Sequence, residues 1–286
     1  MAKKILIKKA SGEKEIFSII KLKKSMMSSG VASGVAKRVI SQIRPKIKPG
    51  TTTAQIHRLA FDLLKSEDKS YAARYNLKKA IMRLGPDGFP FEKYFAALLE
   101  EQGYETKTNV IVRGKCISHE VDVIAEKYEK NIHAIIEAKF HSHGGGKTGS
   151  KDALYTYARF LDIKEAWNIK KNKGAKPREA TLQSWLVTNT KVTGEVKIYC
   201  GCVGIKAIGW DYASEGDNLQ ELIENRGLYP ITVLISLNHQ QVRDLLHHNI
   251  VLCKQLINQD TLLSRLGFHG RQIQQLYQEI NKLFGS

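Results

Sequence analysis

The sequence predicts a mixed α/β protein with a mainly helical N-terminal unit, a central αβ core and a small helical tail. Apolar residues recur at three- and four-residue spacing through the first 85 positions. Period-two, β-branched runs appear between Asn109 and Phe140, and no strand signal follows Asn238. At 286 residues the chain has room for two compact domains or one large domain with an appended module. The expected divisions are residues 1–86, 87–236 and 237–286.

In the first unit, Lys4 to Lys9 reads as a short strand, Gly12 as a hairpin-type turn and Glu15 to Phe17 as the return strand. Helices are expected at Ile20 to Met27, Val35 to Ile43, Thr53 to Leu64 and Tyr71 to Arg83, with Thr53 or its neighbours Thr51 and Thr52 available as an N-cap. Gly85, Pro86, Asp87 and Gly88 form a turn cluster that ends the unit.

The second unit opens with a helix from Phe91 to Gln102, stopped by Gly103. Strands follow at Asn109 to Arg113, Glu120 to Ala125 and His133 to Phe140, then a glycine-rich loop and a helix from Asp152 to Trp167. Lys170 to Lys176 is a basic, glycine-containing stretch expected to be a mobile loop. Ser184 to Thr188 reads as a strand, Val196 to Trp210 as a strand broken by glycine, Leu219 to Asn225 as a helix and Ile231 to Ile235 as a strand. The tail shows helical patterns at Val242 to His247, Ile250 to Ile257 and Arg271 to Leu283.

A formal net charge of +17 surrounds the chain with a field that attracts polyanions, so nucleic acid is the leading partner class; a merely solubilising basic surface is the alternative. Most of the excess lies in residues 1–85, with about 20 Lys and Arg against about 5 Asp and Glu. Cys116, Cys200, Cys202 and Cys253 are widely spread and include no C-x-x-C pair, so neither a zinc ribbon nor a disulfide framework is supported and reduced, buried thiols are the expectation. No apolar run reaches the roughly 18 residues that would cross a bilayer, so a cytoplasmic protein with no membrane partner is expected.

Hydrolysis of a phosphodiester needs neutralised charge at the phosphate and an activated water, which carboxylate-held Mg²⁺ supplies. Asp122 lies on one predicted strand. Glu137 and Lys139 lie two residues apart on the next, hence on one face. Val121, Val123 and Ile124 flank the aspartate, and Ala134, Ile135, Ile136 and Ala138 bracket the glutamate, so the charges sit in apolar surroundings and need partners. An ordinary cross-strand salt bridge would satisfy the same pattern.

The order Phe91-Glu92-Lys93-Tyr94-Phe95, Gly103-Tyr104, Asp122 and Glu137-Ala138-Lys139 resembles the Mrr-like branch of the PD-(D/E)xK restriction endonuclease superfamily, over roughly Phe89 to Ile235. The resemblance implies a restriction-endonuclease-like core in which Glu92, Asp122 and Glu137 are acidic ligands of Mg²⁺ or Mn²⁺ and Lys139 is the basic catalytic partner. An exposed first-turn glutamate favoured by the helix dipole is the other account of Glu92.

The run His141-Ser142-His143-Gly144-Gly145-Gly146-Lys147-Thr148 lacks the first glycine of a P-loop and reads as an active-site loop in which Lys147 contacts phosphate. His141 and His143 are potential metal ligands or solvated loop histidines. Tyr155, Tyr157 and Arg159 suit nucleic acid or helix packing. Leu245 to Ile250 and Leu266-Gly267-Phe268-His269 are faintly similar to helix-hairpin-helix modules, with a dimerising or core-covering helix set as the alternative.

Lys3 to Leu84 resembles an ATP-cone, the regulatory nucleotide-binding domain of ribonucleotide reductases and some regulators. Ile7-Lys8-Lys9, Gly12, Glu15, Phe17-Ser18, Lys21-Leu22, Thr53, Ile56-His57 and Ala72-Ala73-Arg74-Tyr75 carry it. The resemblance implies ATP or dATP held by Lys9 and Lys21 at the phosphates, Glu15 and Ser18 at the base or sugar, and Thr53 and His57 on the far side. Ala10 departs from the arginine common there. A basic helical DNA-binding module without nucleotide is the other account, because clustered positive charge suits DNA as well as ATP.

Together these features imply a metal-dependent endonuclease acting on double-stranded DNA in restriction or defence, regulated by an adenine nucleotide and assembled as a homodimer or larger homo-oligomer. A nucleotide-responsive DNA-binding regulator with an inactive core, and a repair or junction nuclease, are the rivals.

Overall fold

The computed structural model describes residues 5–9, 12–85, 88–143, 145–172 and 180–285, and the side chains of 170–172 are not included. The chain is mixed α/β and divides into two compact units. Met1–Ile81, Ile231–Asp244 and Cys253–Ser286 make the first, and Met82–Pro230 with Leu245–Leu252 the second. Residues 237–286 therefore do not stand apart as a tail module; most of them share the unit of the N-terminal helices.

In the first unit, β1 (Leu6–Lys8) and β2 (Lys14–Ile16) form an antiparallel hairpin with Gly12 at φ 87°. Lys4, Ala10, Pro86 and Asp87 lie outside the described residues. The hairpin leads into α1 (Ile19–Ser28), α2 (Ser33–Ile43), α3 (Thr53–Glu67), α4 (Lys69–Tyr75) and α5 (Leu77–Met82). Thr52, not Thr53, is the N-cap of α3, in a reciprocal capping box with Gln55. The single helix expected from Tyr71 to Arg83 is two, interrupted at Asn76.

Leu22, Met26, Val39, Ile43, Ile56 and Leu64 fall at helical spacing and close a common core, each side chain contributing about 1.5–3 kcal/mol of burial. Ile235 packs against the same core. Thr232 donates to the carbonyl of Ala80 at 2.7 Å. The buried Glu279 accepts from the N–H groups of Ile235 and Ser236 at 2.5 and 3.0 Å.

The second unit is built on α6 (Phe89–Glu100) and a six-stranded sheet. Strands β3 (Glu105–Arg113), β4 (Ser118–Lys127) and β5 (Ile132–Lys139) form an antiparallel meander. After a two-residue strand β6 (Lys147–Thr148), α7 (Ser150–Asn172) crosses to β7 (Thr181–Thr188), which lies parallel to β5. Helix α7 thus covers the beginning of the expected loop at Lys170; residues 173–179 lie outside the described residues.

Next come β8 (Lys191–Val192), which pairs with β6, and α8 (Gly194–Val203). Strand β9 (Ile205–Gly209) runs parallel to β7, and β10 (Tyr212–Ala213) closes the edge before α9 (Leu219–Glu224). The strand expected over Val196 to Trp210 is therefore helix followed by strand. Thr193 caps α8 and Gly204, at φ 76°, ends it.

Ile231 to Ile235 is a 3₁₀ turn, Ile231–Val233, rather than a strand: the run is buried, but it finds no partner strand. Ile250 to Ile257 likewise yields only the 3₁₀ segment Cys253–Leu256. The remaining helices are α10 (His239–His247), α11 (Asp260–Arg265) and α12 (Gly270–Phe284). Cys200 and Cys253 are buried free thiols, whereas Cys116 and Cys202 are exposed, against expectation. No helix among the described residues is long and apolar enough to cross a membrane.

Candidate active site

The register Val123↔Ile136 and Ile124↔Ile135 brings Asp122 level with Glu137 where the β4–β5 ladder ends. Val121 and Val123, both fully buried, fix the aspartate between them. Its Oδ2 accepts from the N–H of Ala138 at 2.7 Å, which replaces the ladder bond that the strands no longer make. Two-residue alternation turns Ile135, Glu137 and Lys139 to one face, where Ile135 packs on Ile163 of α7.

On that face Glu137 Oε2 receives Arg159 Nη1 at 2.5 Å, with the two side chains 16% and 10% exposed. Arg159 also donates to the Tyr155 hydroxyl at 3.0 Å and lies over its ring. Lys139 Nζ stands 3.3 Å from Asp152 Oδ1 in the first turn of α7.

Glu92 comes from the first turn of α6, started by Gly88 at φ 80°. It is buried rather than solvent-facing, and its Oε2 has no hydrogen-bond partner. Burial, then Asp122, Glu120 and Glu137, push its carboxyl up to about 7, against a hydrogen bond from Asn109. Burial likewise raises Asp122 and Glu137. The Ala138 amide opposes it at Asp122; at Glu137 the aspartate adds to it while Arg159 and Lys139 oppose. Asp122, Glu137, Lys139 and Glu92 thus occupy one neighbourhood, as the sequence pattern anticipated.

The donor chemistry suits a hard divalent cation: three carboxylates feel one another, and one buried oxygen is unpartnered. Among the described residues no group of three or more His, Cys, Asp or Glu stands close enough to hold an ion, and Glu137 is paired with Arg159. Asp152 and Glu120 join the site unforeseen. Arg159, read only as a nucleic-acid or packing residue, is the direct partner of Glu137. A signal was present, since Asp152, Tyr155 and Arg159 share one helix face by their spacing.

His141 is half-buried rather than a solvated loop histidine: its N–H donates to Asn189 Oδ1 at 2.8 Å and its Nε2 meets Thr148 Oγ1 at 3.1 Å. His143 is exposed against Ser142, Lys147 begins β6, and Gly144 lies outside the described residues. Tyr157 packs on Tyr199.

In the first unit, Lys9 pairs with Glu13 and Glu15 at 3.1 and 2.9 Å, and Lys21 pairs with Glu15. Ser18 caps α1 by accepting from Lys21 N–H at 3.3 Å. Lys8 bridges to Thr52, which brings the strand beside Thr53 at the start of α3. His57 instead stacks on Tyr75, with ring centroids 4.6 Å apart, and Lys79 Nζ lies 3.1 Å from its Nδ1. Burial, reinforced by Lys79, lowers His57 to about 4.

The family model described as AF1548-like, C-terminal matches residues 229–284. An uncharacterized protein of Archaeoglobus fulgidus is 39% identical over 191 residues, 66% of this chain and 99% of that protein. A crystal structure of AF1548, a protein of unknown function, is similar at a TM-score of 0.55 and 39% identity, covering 70% of this chain and 100% of that one.

Proposed function

The chain belongs to the AF1548-like family, and from the chemistry of its own sheet end we propose that it is a divalent-metal-dependent endonuclease acting on double-stranded DNA. One observation carries the proposal. Asp122, Glu137 and Lys139 stand together at the splayed end of two strands, beside a buried glutamate, Glu92, whose oxygen has no partner.

Asp122, Glu137 and Glu92 would hold Mg²⁺ or Mn²⁺, which supplies charge neutralisation at the phosphate and a more acidic water. Glu137, paired with Arg159 in this structure, would have to give up that partner to join the set, and Arg159 would then be available as a donor to a phosphate oxygen. Lys139, the most exposed of these groups at 44%, orients the attacking water or the phosphate, and Asp152 holds its ammonium in place. The net charge of +17 favours a DNA substrate.

We further propose that the N-terminal unit binds ATP or dATP as an ATP-cone, using Lys9, Glu15, Ser18, Lys21, Thr53 and His57. The convergence of Lys9, Glu15, Ser18 and Lys21 at one hairpin supports this. A cytoplasmic homodimer or larger homo-oligomer, serving restriction or defence, accords with two-strand cutting; repair or junction cleavage would use the same chemistry.

A second reading, a nucleotide-responsive DNA-binding regulator without cleavage, draws on the ion pairs that already neutralise Glu137 and Lys139 internally. Incubation with plasmid and linear DNA, with Mg²⁺ or Mn²⁺ and with or without ATP or dATP, separates the two. Metal-dependent cutting that is lost in Glu137→Ala and Lys139→Ala supports the nuclease. Equal DNA binding with no cutting in any condition supports the regulator. Calorimetry with ATP on the intact protein and Lys21→Ala tests the cone; no nucleotide binding by the intact protein removes it.

A further inference from the structure

On the second unit's sheet, Ile136 pairs with Trp185 and Glu137 with Leu186, so alternation turns Trp185 to the face opposite Glu137. There a cavity of about 430 Å³ opens, the size of a small-ligand site. Leu99 from α6, Ile208 from β9 and Leu222 from α9 contribute its apolar lining. Tyr104 sets its ring edge against Trp185 at 6.0 Å between centroids.

Cations gather on this lining. Lys206 Nζ lies 4.3 Å over the Trp185 ring, and among the described residues it has neither a hydrogen-bond acceptor nor a carboxylate within ion-pair distance. Lys127 lies over Tyr104 and donates to the carbonyl of Gln102 at 2.6 Å. Lys130 lines the cavity and is exposed. Arg226 is already committed to Asp217 at 2.9 Å. With that pair cancelled, three lysines face Glu215 alone, leaving two positive charges uncompensated.

A half-buried ammonium resting on an indole gains from the ring, yet it lacks the counter-ion that such a position calls for. The character of the donors selects the anion. Carboxylates favour the planar fork of arginine, and the arginine present is occupied; lysines act as point charges suited to a phosphate.

We propose that this cavity binds a small phosphomonoester of mononucleotide size, its phosphate on Lys206 and Lys130 and its less polar body along Leu222 and Ile208. Burial lowers the proton affinity of Lys206, as expected of an ammonium awaiting an anion. The site is separate from Glu137 and from the N-terminal lysines, and it stands whether or not the chain cuts DNA.

The test uses the full chain and three probes: inorganic phosphate, AMP and adenosine, followed by calorimetry and by tryptophan emission, with a Trp185→Phe variant identifying the Trp185 part of the signal. AMP and phosphate should bind, and adenosine should not. Lys206→Gln should weaken AMP about tenfold, the loss of one charge-assisted contact. Lys130→Glu, on an exposed side chain that folding does not need, should weaken it at least as much. Equal binding of adenosine and AMP, insensitivity to both lysine changes, or no binding of either phosphate at millimolar concentration would overturn the proposal. So would loss of AMP binding in Lys21→Ala alone, which assigns the nucleotide to the first unit.

Discussion

Replacing Glu92 by glutamine should flatten the pH dependence of stability in residues 82–230. Burial and three neighbouring carboxylates hold the folded-state proton of Glu92 until about pH 7, whereas the ordinary value is 4.5. Between those values the folded chain keeps a proton that the unfolded chain has released. Stability therefore falls as pH rises through that window, and the penalty is complete above pH 7.

At about 1.4 kcal/mol for each tenfold difference in proton affinity, the interval corresponds to at most ~3.5 kcal/mol. Solvent reaching the open side of the site reduces this to about 2 kcal/mol. The three tryptophans, Trp167, Trp185 and Trp210, all lie in Met82–Pro230, so urea unfolding followed by their fluorescence reports on this unit. Between pH 5 and pH 8 the wild type should lose about 2 kcal/mol more than Glu92→Gln. At pH 8, millimolar Mg²⁺ should restore part of that loss in the wild type and less in the variant. Parallel pH curves for the two proteins would refute the electrostatic account of the site.

Arg159→Ala leaves Glu137 buried without its cation and should cost about 3 kcal/mol in chelator by the same fluorescence assay, with Arg159→Ala/Glu137→Ala recovering part of it. A Cβ at Gly114 would lie 2.1 Å from Asp162 Oδ2 and 2.8 Å from the carbonyl oxygen of Ile117. Gly114→Ala should therefore lower stability by about 1–3 kcal/mol, seen as a lower Tm, since Asp162 anchors the Cys116 and Ile117 amides and His119. In the first unit, His57 stays neutral down to about pH 4. Its contribution is intact above the ordinary 6.5 and declines as pH falls from there toward 4, by up to about 3 kcal/mol. Carbon-13 detection of the ring should find no titration of His57 between pH 5 and 8.

The placing of Glu137 and Lys139 was legible because strand alternation is a hard constraint: Glu137-x-Lys139 must share a face, and apolar neighbours on both sides had to bury the strand. Their partners were not. The spacing of Asp152, Tyr155 and Arg159 put them on one helix face, but that Arg159 meets Glu137, 22 positions away through a crossover, is set by how that helix packs on the sheet. Short apolar runs misled for a different reason. Val196, Ile198, Tyr199 and Val203 carry strand-forming side chains, but Thr193 and Gly204 supply the helix caps, and termini outweighed propensity. Ile231 to Ile235 had the composition of a strand without an available ladder, a fact set by distant parts of the chain.

The first unit's discontinuity bears on how the protein is made. Residues up to Ile81 are translated well before Ile235, which packs on their core, and Glu279, which ties Ile235 and Ser236. A nascent N-terminal segment is therefore left with an unfinished hydrophobic surface while some 150 further residues are translated. Chaperone dependence during translation, and poor behaviour of any fragment cut near residue 86, follow from that order of events.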